Sequence, residues 1–221
     1  MFDFLEGYDL LGAFWVTVQL TVYSALGSLI WGTLLAGMKV SPVPLMRGFA
    51  TAYVNVVRNI PLTVIIVFSS LGLNQTLNIE LGADVIEDIN FRLAVLALVA
   101  YTAAFVCEAL RSGINTVPVG QAEAARALGL SFTQVLRLII LPQAFRAVVN
   151  PLSNVLIALT KNTTVASAIG VVEASYLMKD MIEAKAQLIL ISLVFAFGFI
   201  VLTLPTGLIL GWVSKKVAVK R

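Results

Sequence analysis

NTVPVGQAEAARALGLSFTQVLRLIILPQAF, residues 115–145, is the longest polar interruption between the apolar segments of this chain. Its composition and punctuation predict two short helices joined at a glycine. Thr116 stands as a candidate N-cap with Pro118 in the first turn, and the alanine-rich run from Gln121 to Leu128 is strongly helix-forming. Gly129 ends that run. Ser131, followed three positions later by Gln134, has capping-box spacing, so a second helix is expected from there through Val135, Leu136, Leu138 and Ile139, stopping at Pro142. Helices this short are marginal alone in water, so both must lean on something, and the alanines keep the first slim enough to enter a groove.

The surroundings of this stretch belong in a membrane. The 221 residues are 59% hydrophobic and only 12% charged, with a mean hydropathy of +0.96, whereas soluble chains carry about 25% charged residues. The basic residues sit in particular loops and form no tract, so nucleic-acid binding has no electrostatic footprint. The chain has no histidine and one cysteine, Cys107, in an apolar run. That leaves no intrachain disulfide, Cys/His zinc site or histidine-based catalysis, and makes Cys107 a small core residue. Asp3, Glu6 and Asp9 precede the first apolar run without a basic residue, so no cleaved signal is expected.

Uncharged length sets the spans. Leu10 to Met38 gives 29 uncharged positions, more than the ~20 needed to cross the hydrocarbon. A second span is expected from Gly48 to Leu73, containing Arg58 and Pro61, a third from Phe91 to Leu110, a fourth from Ala147 to Val172 and a fifth from Ala186 to Ser214. An acidic loop, Asn74 to Asn90, and a mixed-charge connection, Glu173 to Lys185, join them. The fold class is therefore all-α, a polytopic membrane protein of five helices, with an external segment at 1–11, a membrane domain at 12–213 and a basic tail at 214–221. One alternating set of flanks holds ten cations: Lys39, Arg47, Arg111, Arg126, Arg137, Arg146, Lys215, Lys216, Lys220 and Arg221. The other holds Arg92, Lys179 and Lys185. Since lysine and arginine favour cytoplasmic flanks, the N-terminus is expected outside, the C-terminus inside and residues 115–145 in the cytoplasm.

Residues 115–145 resemble the signature loop of bacterial ABC-importer membrane subunits: Glu-Ala-Ala, three residues, Gly, nine residues, Ile, one residue, Leu-Pro. Glu123, Ala124, Ala125, Gly129, Ile139, Leu141 and Pro142 fill every position of that pattern. Val117 to Gln121 and Lys161 to Thr164 resemble the branch importing polar amino acids. The resemblance implies the type I permease fold of that family, a bacterial plasma-membrane location, docking of the loop on a cytoplasmic ATPase, and a complex of two permeases, the same or homologous, with two ATPase copies and an extracytoplasmic substrate-binding protein. It also implies no cofactor in this chain, ATP and Mg being bound by the partner ATPase, and indeed no Gly-rich loop with Lys-Ser/Thr is present. A plain amphipathic hairpin on lipid headgroups is the alternative for the loop alone, although such hairpins favour bulkier apolar faces than alanine gives.

Polar groups inside the spans supply candidates for the path. Asn150, Asn154, Lys161 and Thr164 recur at helical spacing in span four, and Thr51, Asn55, Arg58 and Asn59 do so in span two. Buried charge in lipid needs protein or water beside it, so Arg58 and Lys161 are expected to face the interior, with Glu108 near the inner end of span three to offset either or to pair with Arg111. A helix-to-helix clamp is the structural alternative for both cations. With two cations and one carboxylate, an acidic amino acid such as glutamate is the favoured substrate and glutamine or another polar amino acid the next. A secondary transporter or channel would use the same cations but leave Glu123, Gly129 and Pro142 unexplained. In a Cys107→Ser background, a cysteine at Ala124 is expected to react in whole cells only with membrane-permeant reagents, and one at Ala83 with impermeant ones. Labelling of position 124 from outside would overturn the topology.

Overall fold

The computed structural model describes residues 7–217, which are helical with no strand among them. Asp3 and Glu6 of the expected external segment, and Lys220 and Arg221 of the basic tail, lie outside the described residues. Helix α1 (Leu10–Lys39) starts at Asp9, whose carboxylate accepts the Gly12 N–H at 2.8 Å. Its buried face, Thr17, Leu20, Ser24, Ser28, Gly32 and Leu35, follows steps of three and four and is mostly small. That seam packs on helix α4 (Ile86–Asn115). Lipid tails are as apolar as leucine, so helices associate in a membrane through close packing, which small residues permit. A Cβ added at Gly27 would lie 2.6 Å from Val99, and one at Gly32 would lie 2.6 Å from Val106 and 2.8 Å from the Ala103 carbonyl oxygen. Helix α4 becomes the axis on which most of the other spans pack, and Cys107 is buried there with Ala103, Ala104 and Val54.

The second span, expected over 48–73 with the helix-breaking Pro61 inside it, is sharply bent there. Helix α2 (Pro44–Asn59) ends before Pro61, and α3 (Leu62–Phe68), continued by a π-helical stretch Ser69–Thr76, departs from it at 103°. The residue before a proline is pushed toward extended backbone. Ile60 obeys at φ −96°, ψ 132°, and a new first turn begins at Leu62. Helix α2 packs Val54 against Ala103 and Ala104 while the Tyr53 hydroxyl donates to the Ala100 carbonyl at 2.8 Å; α3 packs Leu62 and Ile66 against Leu20, Ala94 and Leu98. Four helical runs among the described residues can cross a membrane by themselves, and this bent pair makes the fifth.

Two further departures concern the polar stretches. Thr116 is not an N-cap; its hydroxyl donates to the Gly113 carbonyl at 2.6 Å and closes α4, which runs past the expected end at 110. Pro142 is not a stop either. After α5 (Val119–Ala127) and α6 (Phe132–Val135), a π turn at Leu136–Ile140 leads without a break into α7 (Leu141–Asn162) and a 3₁₀ stretch Thr163–Ile169, a run of 38 residues from Phe132. A proline inside an α-helix clashes with the carbonyl four residues back, here Leu138; the wider π turn displaces that carbonyl, and Pro142 fits in the first turn of α7.

The two connections expected on the external side are more ordered than the sequence suggested. Arg92, one of the three cations on the sparse side, donates to the carbonyls of Leu81 and Gly82, both at 2.7 Å, and clamps the loop before α4. Ala83 is buried there, so the exposed Asp84 is the better external labelling position. The mixed-charge connection is helix α8 (Ala174–Lys185), and α9 (Leu188–Val217) continues helical beyond 214. Phe195 of α9 stacks on Phe14 at 5.8 Å. Gly32→Val is expected to force α1 off α4 at a cost of about 1–3 kcal/mol. A lowered melting temperature of the purified complex would register it, and an unchanged one would refute the close-packed seam.

Candidate functional site

The hairpin after α4 is built by two local devices. At the end of α5, Gly129 takes φ +85°, with its N–H bonded to the Arg126 carbonyl at 2.9 Å and the Leu130 N–H bonded to Ala125 at 3.2 Å. This paired pattern is a Schellman cap, which needs a left-handed residue that glycine adopts without Cβ strain. Ser131 and Gln134 then form the complete capping box expected. The Gln143 side chain donates to Gln121 at 2.7 Å and to the Ile139 carbonyl at 2.9 Å, tying α5 to the start of α7. Ala125 and Val135 are buried between the helices, whereas Glu123, Ala124 and Gly129 are exposed. Leu141 and Pro142 are exposed and Ile139 half-buried, all three at the joint between hairpin and α7.

Glu108 gathers three cations. Lys39 from the end of α1 bonds its Oε1, Arg58 from α2 stands 3.7 Å from Oε2, and Arg111 stands 3.9 Å from the same oxygen. Lys39 is buried while Arg58 is 44% exposed, so Arg58 is the accessible cation of the two. Its guanidinium lies 5.5 Å from the centre of the Phe105 ring. Phe105 in turn lines a cleft of about 280 Å³ between α4 and α7, with Tyr101, Thr102, Asn154 and Asn162. The Thr102 hydroxyl is buried there with no hydrogen-bond partner. Asn55 and Asn59 are exposed on the α2 face that carries Arg58; the Asn59 amide donates to the Asn55 carbonyl at 2.6 Å.

Lys161 lies elsewhere. It lines a separate groove of about 310 Å³ between α7 and α9, with Ile157, Thr203 and Gly207, and makes no ion pair among the described residues. Thr164 turns its hydroxyl back to the Lys161 carbonyl at 2.8 Å. The bend at Pro61 leaves Arg58 beside Glu108, so the two cations do not share one chamber within the chain. Sequence reasoning missed Lys39, which looks like a loop cation, and Thr102, whose lack of a partner is a tertiary fact.

It also missed Glu173, fully buried outside the spans at the start of α8. The Ser175 and Tyr176 N–H groups donate to it, both at 2.9 Å, and the Thr17 hydroxyl of α1 reaches it at 3.4 Å. Burial nevertheless pushes its carboxyl up to about 7, against those three donors and the nearby Lys179. The cap thus ties α8 to α1. A signal existed in Glu173-Ala174-Ser175-Tyr176 as a helix start.

Over residues 28–219 the chain matches the family described as binding-protein-dependent transport system inner membrane component. It belongs to that family and is the membrane permease subunit of an ABC importer, an inner-membrane component that works with an ATPase and other subunits. The chain is 59% identical over 220 residues to the glutamate transport system permease protein GluC of Corynebacterium efficiens, covering 97% of this chain and 96% of that one. It is 56% identical, with the same coverage, to GluC of Corynebacterium glutamicum. A crystal structure of an amino acid ABC transporter with histidines superposes with a TM-score of 0.83 at 26% identity, covering 94% of this chain and 93% of that one. The permease hydrolyses nothing itself, and the nucleotide is bound by the partner ATPase.

Glu173 makes stability depend on pH. Its folded pKa is above that of the unfolded chain, so its contribution is full below about pH 4.5 and is lost as the pH rises to about 7. The whole span corresponds to about 3 kcal/mol. Melting temperatures of wild type and Glu173→Gln, compared between about pH 5 and pH 7.5, should show a fall in wild type that the variant lacks. Parallel curves would remove Glu173 as the titrating group.

Proposed function

We propose that this permease carries an acidic amino acid, glutamate first, into the cell, with its N-terminus outside and its C-terminus in the cytoplasm. The observation that carries the substrate reading is the charge around Glu108: one carboxylate faces Lys39, Arg58 and Arg111, which leaves two positive charges in surplus. An α-carboxylate needs one cation, and a second carboxylate suits the surplus better than a basic side chain would. The relation to the glutamate permeases of Corynebacterium supports the same substrate. Arg58 and Glu108, with Asn55, Asn59 and the cleft lined by Asn154, line the path; Lys161 and Thr164 serve it from the α9 side.

The membrane domain, residues 12–213, pairs with a second permease, the same or homologous. Two ATPase copies sit beneath the pair, and an external binding protein delivers the substrate. Glu123, Ala124 and Gly129 present the exposed face of α5 to the ATPase, Ala125 holds the hairpin together, and Ile139, Leu141 and Pro142 pass its movement into α7. Alternating access follows as ATP binding and release draw the ATPases together and let them part.

Reconstituted complexes test both halves together. Arg58→Met and Lys161→Met, made separately, are expected to lower glutamate uptake about tenfold or more, the worth of a hydrogen bond to a charged group, while ATP turnover persists. Gly129→Val, strained at its positive φ, should instead lose uptake and substrate-stimulated ATP hydrolysis together while still inserting in the membrane. Wild-type uptake in both cation variants would reduce those cations to clamps, and wild-type coupling in Gly129→Val would overturn the docking role.

A further inference from the structure

A groove of about 800 Å³ lies between α1, α4 and the joint of hairpin and α7, at the end proposed above as cytoplasmic. Thr33, Gly37, Leu110, Ile114, Leu141 and Pro142 are among its walls, and Arg146 is the one charged residue in the lining. On α1 the groove continues a stripe of exposed apolar residues, Val22, Leu26, Ile30 and Leu34, at helical spacing. Such a stripe is what a span presents to acyl chains. The other open face of the chain differs: α2 exposes Asn55, Arg58 and Asn59, and Asn154 is exposed on α7, as on surfaces turned to water or protein. The continuity of groove and stripe therefore favours a hydrocarbon chain over a polar helix as occupant.

Arg146 adds a requirement of charge. It is exposed and has no ion pair among the described residues, at a membrane end where the flanking cations outnumber those of the other end. Basic pockets between spans on the cytoplasmic side are suited to anionic lipid headgroups. We propose that the groove is a lipid site, holding an acyl chain of an anionic phospholipid whose phosphate rests on Arg146. The assignment to the inner leaflet rests on the orientation proposed above; the binding itself does not, and neither does it depend on the substrate. A chain in this groove lies against Leu141 and Pro142 and braces the joint through which the hairpin meets α7.

The test uses the whole complex, permease with its partner subunits, in nanodiscs of phosphatidylcholine and phosphatidylglycerol. Each lipid in turn carries a photoreactive diazirine on its acyl chain. Peptides bearing Leu110, Ile114 and Leu141 should be labelled, and phosphatidylglycerol should be preferred about fivefold, the factor that about 1 kcal/mol per basic residue gives. Arg146→Gln should lose that preference and keep the labelling. Gly37→Leu, made where an added Cβ meets nothing within 4 Å, should fill the groove and lose labelling by both lipids at a wild-type melting temperature. Absence of label from those peptides, as when a partner subunit covers the groove, would overturn the proposal, as would full labelling of a folded Gly37→Leu. If that variant does not fold, the Arg146→Gln comparison decides alone, an unchanged preference being the refuting result.

Discussion

The close approach of α1 to α4 organises the molecule. In lipid no hydrophobic gain accompanies the meeting of two apolar helices, so a packed pair must owe its stability to contact, and contact is closest where side chains are absent. Gly27 and Gly32 provide that on α1, against Val99, Ala103 and Val106. With this seam closed, α4 is enclosed on several sides, and α2, α3 and α7 all pack against it. The seam also delivers Lys39, the last residue of α1, to Glu108.

That meeting sets the electrostatics around Glu108. A carboxylate held by one cation would be neutral as a pair, but Glu108 is reached by cations from three helices and satisfies the buried one first. Arg58 is left loosely held, over a ring that lines the α4–α7 cleft. A cation with a distant partner and an exposed guanidinium can exchange that partner for another carboxylate at small cost, whereas Lys39 cannot leave Glu108 without stranding a buried charge. The two play different parts in one cluster.

Much of this was legible in the residues. The uncharged run from Leu10 to Met38, the Ser131–Gln134 box and the left-handed Gly129 are local signals, and the structure contains all three. What escaped depends on distance or on register. Pro61 was legible as a helix breaker, but the 103° angle was not, because it is set by where α2 and α3 find their packing partners on α4. Proline does not stop a helix wherever it falls: a π turn precedes Pro142, and Pro151 and Pro205 lie inside α7 and α9. Lys39 and Glu108 are 69 residues apart, and the burial of Glu173 exists only once α1 has folded beside α8. Of the candidate path, residue types offered Glu108 as partner to Arg58, Lys161 or Arg111; the structure puts it beside Arg58 and Arg111 and leaves Lys161 on the α9 side.

The unbroken run from Phe132 to Ile169 has a mechanical meaning. Near its middle, Val148 and Ala144 press against Gly113 of α4, where a Cβ has no room, and this tight contact is a natural fulcrum. Leu136 lies twelve residues to one side and Ala158 ten to the other, arms of roughly 18 and 15 Å at 1.5 Å per residue. The run is thus a lever of nearly equal arms. As a rigid rod such a run would turn a displacement at one end into one of opposite sense at the other, and the π turn at Leu136–Ile140 and Pro151 are the places where it can bend instead.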